Sequence, residues 1–244
     1  MLKSYWKTDV GLTRTVNEDR VTVSTITERC TVAIVADGMG GHQAGDIASQ
    51  STIEFVMDSL KTALMNAPSD EREMVVREII HQANAQIFEI ASSKEHYRGM
   101  GTTLTLAIAD EEQLLIAHVG DSRAYLCTHN HCKQLTEDHT LVNELLKSGQ
   151  ISEEEAVIHP RRHVLLRALG TEPWIQFDIE TLSWAKGDML LICSDGLSNL
   201  VSTAEISKAL RSKNHLENKV DQLVSIALDA GGDDNISVAL LLNE

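Results

Sequence analysis

Short β-type runs dominate the chain, and helical spacing takes over in only a few blocks. Val21 to Thr27 alternates apolar with polar residues, and Cys30 to Ala36 is an apolar run that stops at Asp37-Gly38. Both are read as strands. From Ala44 to Leu64 the positions Ala48, Phe55, Val56, Leu60, Ala63 and Leu64 fall on a helical period, which Asn66-Ala-Pro68-Ser breaks. A second helix carries the stripe Val76, Ile79, Ile80, Ala83, Ile87, Ile90 and Ala91, with Asp70 and Glu73 spaced as a capping box at its start. Three strand patterns follow, Thr103 to Ala109, Gln113 to Val119 and Arg123 to Cys127. The connections Asp110-Glu-Glu and Gly120-Asp-Ser are too short for parallel crossovers, so this sheet is antiparallel.

Thr140 to Lys147 reads as a short helix, and Ser148 to Arg162 as an irregular, charged surface insertion with a Ser152-x-x-Glu155 cap. Strands at Ile175 to Leu182 and Asp188 to Cys193, a helix from Leu216 to Leu228 and a last strand from Asn235 to Leu242 complete the pattern. Strands and paired helices in separate blocks predict an α+β fold of two packed antiparallel sheets covered by helices, not a doubly wound parallel sheet. The 244 residues, 43% of them apolar, suit one domain spanning 1–244.

Charge narrows the function classes. Lys and Arg total 21 against 36 Asp and Glu, a net charge of −15, which argues against nucleic acid or an anionic membrane as a partner. Cys30, Cys127, Cys132 and Cys193 show no CxxC spacing and are expected as buried thiols rather than disulfides. No stretch approaches the roughly 20 apolar residues of a membrane span, and the first residues lack a signal-peptide core. A cytoplasmic monomer is expected.

Four carboxylates stand where a strand is expected to stop: Asp37, Asp121, Asp195 and Asp234. Carboxylates brought together at a sheet rim repel one another unless a cation offsets them, and oxygen-only ligands select hard Mg²⁺ or Mn²⁺ over zinc. Any one of these Asp-Gly or Gly-Asp steps is equally a simple turn, and periodicity alone does not make the four converge.

Seven segments decide the matter. Thr8-Asp-Val-Gly-Leu-Thr-Arg14-Thr-Val-Asn17-Glu18-Asp19, Val35-Ala-Asp37-Gly38-Met-Gly-Gly-His42, Met100-Gly-Thr-Thr-Leu104, Val119-Gly-Asp121-Ser-Arg-Ala124, Leu135-Thr-Glu-Asp138-His139, Cys193-Ser-Asp195-Gly-Leu and Asp234-Asn235-Ile-Ser-Val resemble, in order, the motifs of the metal-dependent type 2C protein phosphatases. The resemblance implies a sandwich with helices on both outer faces, a flap over about 141–169, and hydrolysis of phosphoserine and phosphothreonine esters by a hydroxide bridging two Mn²⁺ or Mg²⁺ ions. It implies that Asp37 bridges both metals, that the Gly38 carbonyl binds one, that Asp195 and Asp234 hold the other, and that Glu18 and Asp19 act through water. It further implies Asp121 as ligand of an optional third ion, Arg14 as the phosphate-binding arginine, and a eukaryotic-like serine/threonine kinase as counterpart. His42 stands as candidate acid for the leaving alkoxide, because Met39 occupies the position where animal members carry histidine. The flap's His159, Arg161, Arg162, His163 and Arg167 form a basic cluster suited to an acidic phosphopeptide, with Arg161 and Arg162 as candidate substrate contacts.

Competing patterns are weaker. Gly38-x-Gly40 followed by Gln43 departs from a dinucleotide fingerprint, and Gly120-x-Ser122-x-Ala124 lacks the helix of a nucleophile elbow. Cys127-Thr-His129-Asn-His131-Cys132 is spaced too tightly for a zinc framework and reads as a hairpin tip. A non-catalytic phosphatase-like domain that binds a kinase or phosphoprotein would be expected to lose a metal carboxylate or the arginine. This chain keeps them.

Overall fold

In the computed structural model, which describes residues 2–27, 30–40, 44–65 and 68–244, the strands are β1 (Leu2–Asp9), β2 (Asp19–Thr27), β3 (Cys30–Met39), β4 (Gly101–Thr102), β5 (Leu104–Ala109), β6 (Gln113–Val119), β7 (Arg123–Cys127), β8 (Cys132–Gln134), β9 (Asp178–Ser183), β10 (Met189–Cys193) and β11 (Ile236–Asn243). The helices are α1 (Ala44–Leu64), α2 (Arg72–Ser93), α3 (Leu141–Lys147), α4 (Glu153–Ile158), α5 (Asp195–Ser198), α6 (Thr203–Leu210) and α7 (Leu216–Asp229). One sheet runs β1-β11-β10-β7-β8 and the other β2-β3-β5-β6-β9, with β4 on β3, and all the pairings are antiparallel.

The unbroken apolar character of β3 follows from its position between two cores. Ala33 and Val35 point between the sheets, against Leu190, Ile192, Ala239 and Leu241. Val32 and Ile34 point outward beneath Val56 and Leu60 of α1 and Ile80 of α2. A strand covered on both faces has no solvent side to carry polar residues. The other sheet is covered in the same way, with Leu191, Val238 and Leu240 under Ile206 of α6 and Leu223 and Val224 of α7. The result is the expected α-β-β-α sandwich.

Local expectations fared unevenly. Asp70 lies in a short 3₁₀ turn, Ser69–Glu71, and α2 begins at Arg72 with no side-chain cap, so the Asp70/Glu73 capping box does not form. The charged insertion is less irregular than expected, because the Ser152/Glu155 capping box starts α4. Ser202 and Glu205 make an equivalent box for α6, a helix the periodicity did not single out. The mostly polar edge strand β1 carries no apolar period either, because its order comes from pairing with β11.

The cysteine expectation is corrected. Cys30 and Cys193 are buried thiols, but Cys127 and Cys132 form a disulfide. They are directly opposed in the β7–β8 hairpin, where Thr128 N–H donates to the His131 carbonyl at 2.8 Å to close the turn. Five residues apart in sequence, they face each other only once that turn forms.

Candidate metal centre

Antiparallel pairing brings the carboxylate-bearing ends to one end of the sandwich. Asp37 lies near the end of β3, Asp121 in the turn from β6 to β7, Asp195 at the step from β10 into α5, and Asp234 just before β11. Oxygens of Asp37, Asp121 and Asp195 all lie within 4.8 Å of one another.

Each carboxylate is held by its backbone and neighbours. Asp37 N–H donates to Thr103 Oγ1 at 2.9 Å, and its carbonyl accepts from Thr103 N–H and Thr102 Oγ1, both at 2.9 Å. Thr103 Oγ1 lies 2.8 Å from Ser122 Oγ, which ties β3 to the Asp121 turn. His139 secures that turn from the other side: its N–H donates to the Gly120 carbonyl at 2.8 Å, and its Nδ1 accepts from Gly120 N–H at 3.2 Å. With Nδ1 accepting, the ring proton sits on Nε2, 3.2 Å from Asp178 Oδ2. Burial lowers the His139 pKa, consistent with this neutral tautomer.

Asp19, opposite Asp37 across β2 and β3, is 1% exposed. Its Oδ2 accepts from Ser194 Oγ at 2.6 Å, and Ser194 Oγ accepts Ser237 N–H at 2.9 Å. Burial pushes the Asp19 carboxyl up to about 7, against the Ser194 hydroxyl, which favours the charged form. Burial likewise raises Asp37 and Asp121 well above the carboxylate range, reinforced by the neighbouring aspartates, and raises Asp195.

These residues fit divalent cations. Asp19 Oδ1 and Asp195 Oδ1 are buried without a hydrogen-bond partner. Clustered aspartates with orphaned oxygens and upshifted pKa values constitute an uncompensated negative site, and an all-oxygen donor set suits Mn²⁺ or Mg²⁺. Gly38 lines the same cleft, and a Cβ there would overlap the Gly45 carbonyl oxygen and come within 2.7 Å of the Glu18 carbonyl oxygen. Only glycine allows α1 to pack this close to the site. Among the described residues this aspartate trio is the group spaced to hold a metal, and the Cys127–Cys132 segment is not.

Arg14, Glu18, Asp37, Gly38, Asp121, Arg162, Asp195 and Asp234, all expected from the sequence, line one cleft of about 460 Å³. A larger hollow of about 980 Å³ between α1 and α2 holds none of these residues and lacks the chemistry. Asp234 shares this cleft, its Oδ2 accepting from Arg14 Nη2 at 2.9 Å. Glu18 is half-buried, and burial raises its pKa. Arg161 is exposed on the flap outside the cleft wall, and His42 lies outside the described residues.

Several contributors carried no role in the sequence reading. Asn235 accepts from Glu18 N–H at 2.8 Å and donates to the carbonyls of Val10 at 2.9 Å and Val16 at 3.0 Å, clamping the segment that carries Arg14. Asn199 Nδ2 donates to Asp195 Oδ2 at 3.1 Å; His163, already expected in the flap's basic cluster, also lines the cleft. Ser194, Thr103 and Asn235 lay inside the motifs, but their partners are remote in sequence. Asn235→Ala is expected to cost roughly 2–3 kcal/mol, because it strands three backbone groups at a buried position. Denaturant unfolding measures the cost, and a change below about 0.5 kcal/mol would show that the clamp is unimportant.

The model of the family "Protein phosphatase 2C" matches residues 13–240. A serine/threonine phosphatase, stp, of Listeria welshimeri is 45% identical over 238 residues, covering 97% of this chain and 94% of that protein. The solved serine/threonine phosphatase of S. agalactiae superposes with a TM-score of 0.95 at 34% identity, covering both chains completely. A solved catalytic domain of the serine/threonine phosphatase PstP, in complex with two manganese ions, superposes with a TM-score of 0.87 at 32% identity over 99% of this chain and 97% of that one.

Proposed function

The chain belongs to the protein phosphatase 2C family, and from that premise we propose that it hydrolyses phosphoserine and phosphothreonine monoesters on proteins, using two Mn²⁺ or Mg²⁺ ions held by the aspartate cluster. The observation that carries this reading is the convergence of Asp37, Asp121 and Asp195, with Asp234 and Arg14 in the same cleft. Asp37, the Gly38 carbonyl, Asp195 and Asp234 would hold the pair of ions, with Asp121 facing an optional third. Glu18 and Asp19 would act through water. Two such ions, when bound, neutralise phosphoryl charge and lower the pKa of water enough to supply a nucleophile near neutral pH.

The chain's own groups do the rest. Arg14 is half-exposed at the cleft mouth, and its guanidinium can fork onto two phosphoryl oxygens without losing charge. Asp234 orients that guanidinium, and Asn235 fixes the segment bearing it. Arg162 and His163 close the cleft from the flap side. A cysteine nucleophile is disfavoured: burial pushes the Cys193 thiol up to about 12 and raises that of Cys30. The retained arginine and carboxylates favour catalysis over a purely regulatory domain. A serine/threonine kinase that installs the phosphate is the implied counterpart.

Release of phosphate from a phosphothreonine peptide, with Mn²⁺ or with EDTA, tests the reading. Turnover that EDTA leaves unchanged would overturn it. Arg14→Ala is expected to raise KM roughly 10- to 100-fold with a smaller change in kcat, since a charge-assisted contact to phosphate is worth about 1.5–3 kcal/mol. Steady-state kinetics decide this, and a defect confined to kcat would contradict a ground-state binding role for Arg14.

A further inference from the structure

Beside the metal cleft, a second cavity of about 390 Å³ opens between the flap and the sandwich. Four apolar side chains line its flap side, Val142 and Leu146 of α3 and Ala156 and Val157 of α4, beside Asn143, Arg162 and His163. It shares Asp121, Arg162, His163 and Asn199 with the metal cleft, so the two are continuous. We propose that this cavity is a substrate subsite that receives an apolar side chain lying within two residues of the phosphorylated residue.

Arg123, Asp138, Thr140, Asn143 and Asn199 of the cavity are committed inside the protein. Arg123 donates to Asp138 through Nε at 2.8 Å and Nη2 at 2.6 Å, and through Nη1 to Tyr125 Oη at 3.3 Å. Asn143 Nδ2 donates to Glu137 Oε1 at 3.0 Å and to the Asp138 carbonyl at 2.8 Å. Thr140 Oγ1 caps α3 by accepting Asn143 N–H. Asp121, Arg162 and His163 line the part shared with the metal cleft and Ser198 Oγ is buried without a hydrogen-bond partner, so an entering group meets the four apolar side chains beside these polar ones.

Those side chains are not needed for the core. Neither α3 nor α4 contains a buried residue, and Val157 on α4 is 72% exposed. The flap is held by polar bonds instead, among them Leu141 N–H to the Val164 carbonyl at 2.9 Å, Leu166 N–H to the His139 carbonyl at 2.8 Å and the Lys147–Glu137 ion pair at 2.6 Å. Apolar surface left open beside a reaction centre, in a cavity of ligand-binding size, gains by covering itself with an apolar group of the substrate. The cavity meets the metal cleft at Asp121, and consecutive residues of an extended peptide advance by about 3.3–3.6 Å. A residue flanking the phosphorylated one can therefore reach it while the phosphate lies on Arg14.

This subsite rests on the phosphatase reading, and its test separates the two. Phosphothreonine peptides that differ only in carrying leucine or serine at each of the two positions on either side are compared by kcat/KM. Leucine at one of these positions is expected to raise kcat/KM about 10-fold or more, the value of one apolar side chain in a pocket. Leu146→Ser combined with Val157→Ser is expected to erase that preference by raising KM for the leucine peptide, with the all-serine peptide changed less than about twofold. Equal turnover of leucine and serine peptides by the unaltered protein would overturn the subsite and leave the phosphatase reading standing. So would a double variant that keeps the preference. No turnover of any peptide with Mn²⁺ present would instead overturn the phosphatase reading.

Discussion

Asp37→Asn is expected to lower kcat by about a thousandfold or more while leaving the protein folded. Asp37 belongs to the oxygen trio with Asp121 and Asp195, and it faces Asp19 across β2 and β3. An amide offers one neutral oxygen where the carboxylate offers two charged ones, so every ion sharing this residue is weakened together. Its backbone bonds to Thr102 and Thr103 do not involve the side chain and survive the change. The same substitution removes a carboxyl whose ionisation is opposed by burial and by Asp19 and Asp195. The metal-free variant should therefore melt at the temperature of the parent or above it, while its stabilisation by Mn²⁺ shrinks. Phosphopeptide turnover and thermal melts with and without Mn²⁺ measure both effects. Turnover within tenfold of the parent would remove Asp37 from the metal centre.

Metal binding is expected to stabilise the protein strongly near pH 7.5 and weakly near pH 5. Asp37, Asp121 and Asp195 have folded pKa values raised above their unfolded values, and Asp19 is raised to about 7. Between about 4 and those folded values the native state binds more protons than the unfolded one, so stability of the metal-free protein falls as pH rises through the window. A cation needs the same groups deprotonated and competes with protons for them. At a Mn²⁺ concentration about 100 times its Kd the gain is about 2.7 kcal/mol, or roughly 5–10 °C in Tm for a chain of this size. At pH 5 the gain should fall to about a third of that or less as protons win the competition. Melts across pH 5 to 8, with Mn²⁺ or EDTA, test this. A Tm gain that does not vary with pH would show that these carboxyls are not the groups that take the metal.

The sandwich was legible because its strongest elements are short apolar runs bounded by turn residues and one clear helical stripe. The runs in β3, β5, β6 and β10 are too short for buried helices, and the stripe of α2 names its buried face. Edge strand β1, 3₁₀ turn Ser69–Glu71 and helix α6 were less legible, because an edge strand is ordered by its neighbour and short capped helices carry little stripe. At the site, the ordered motifs placed Arg14, Glu18, Asp37, Gly38, Asp121, Asp195 and Asp234, and the structure gathers all of them in one cleft. Within that cleft Asp121 joins Asp37 and Asp195 in the tight trio, and Asp234 pairs with Arg14.

What the sequence determined by itself is the set of chemical types and the ends of the strands where they occur, since periodicity and turn residues are local properties of the chain. Only the tertiary structure decided which side chains share a space. Ser194 meets Asp19 across 175 residues, Asn235 clamps Glu18 across 217, and the flap's apolar residues open beside Asp121. Cys127 meets Cys132 because the hairpin turns between them. Contacts of this kind are set by strand register and sheet stacking, which bring distant segments together through backbone pairing that leaves no periodic signal in the residues it joins.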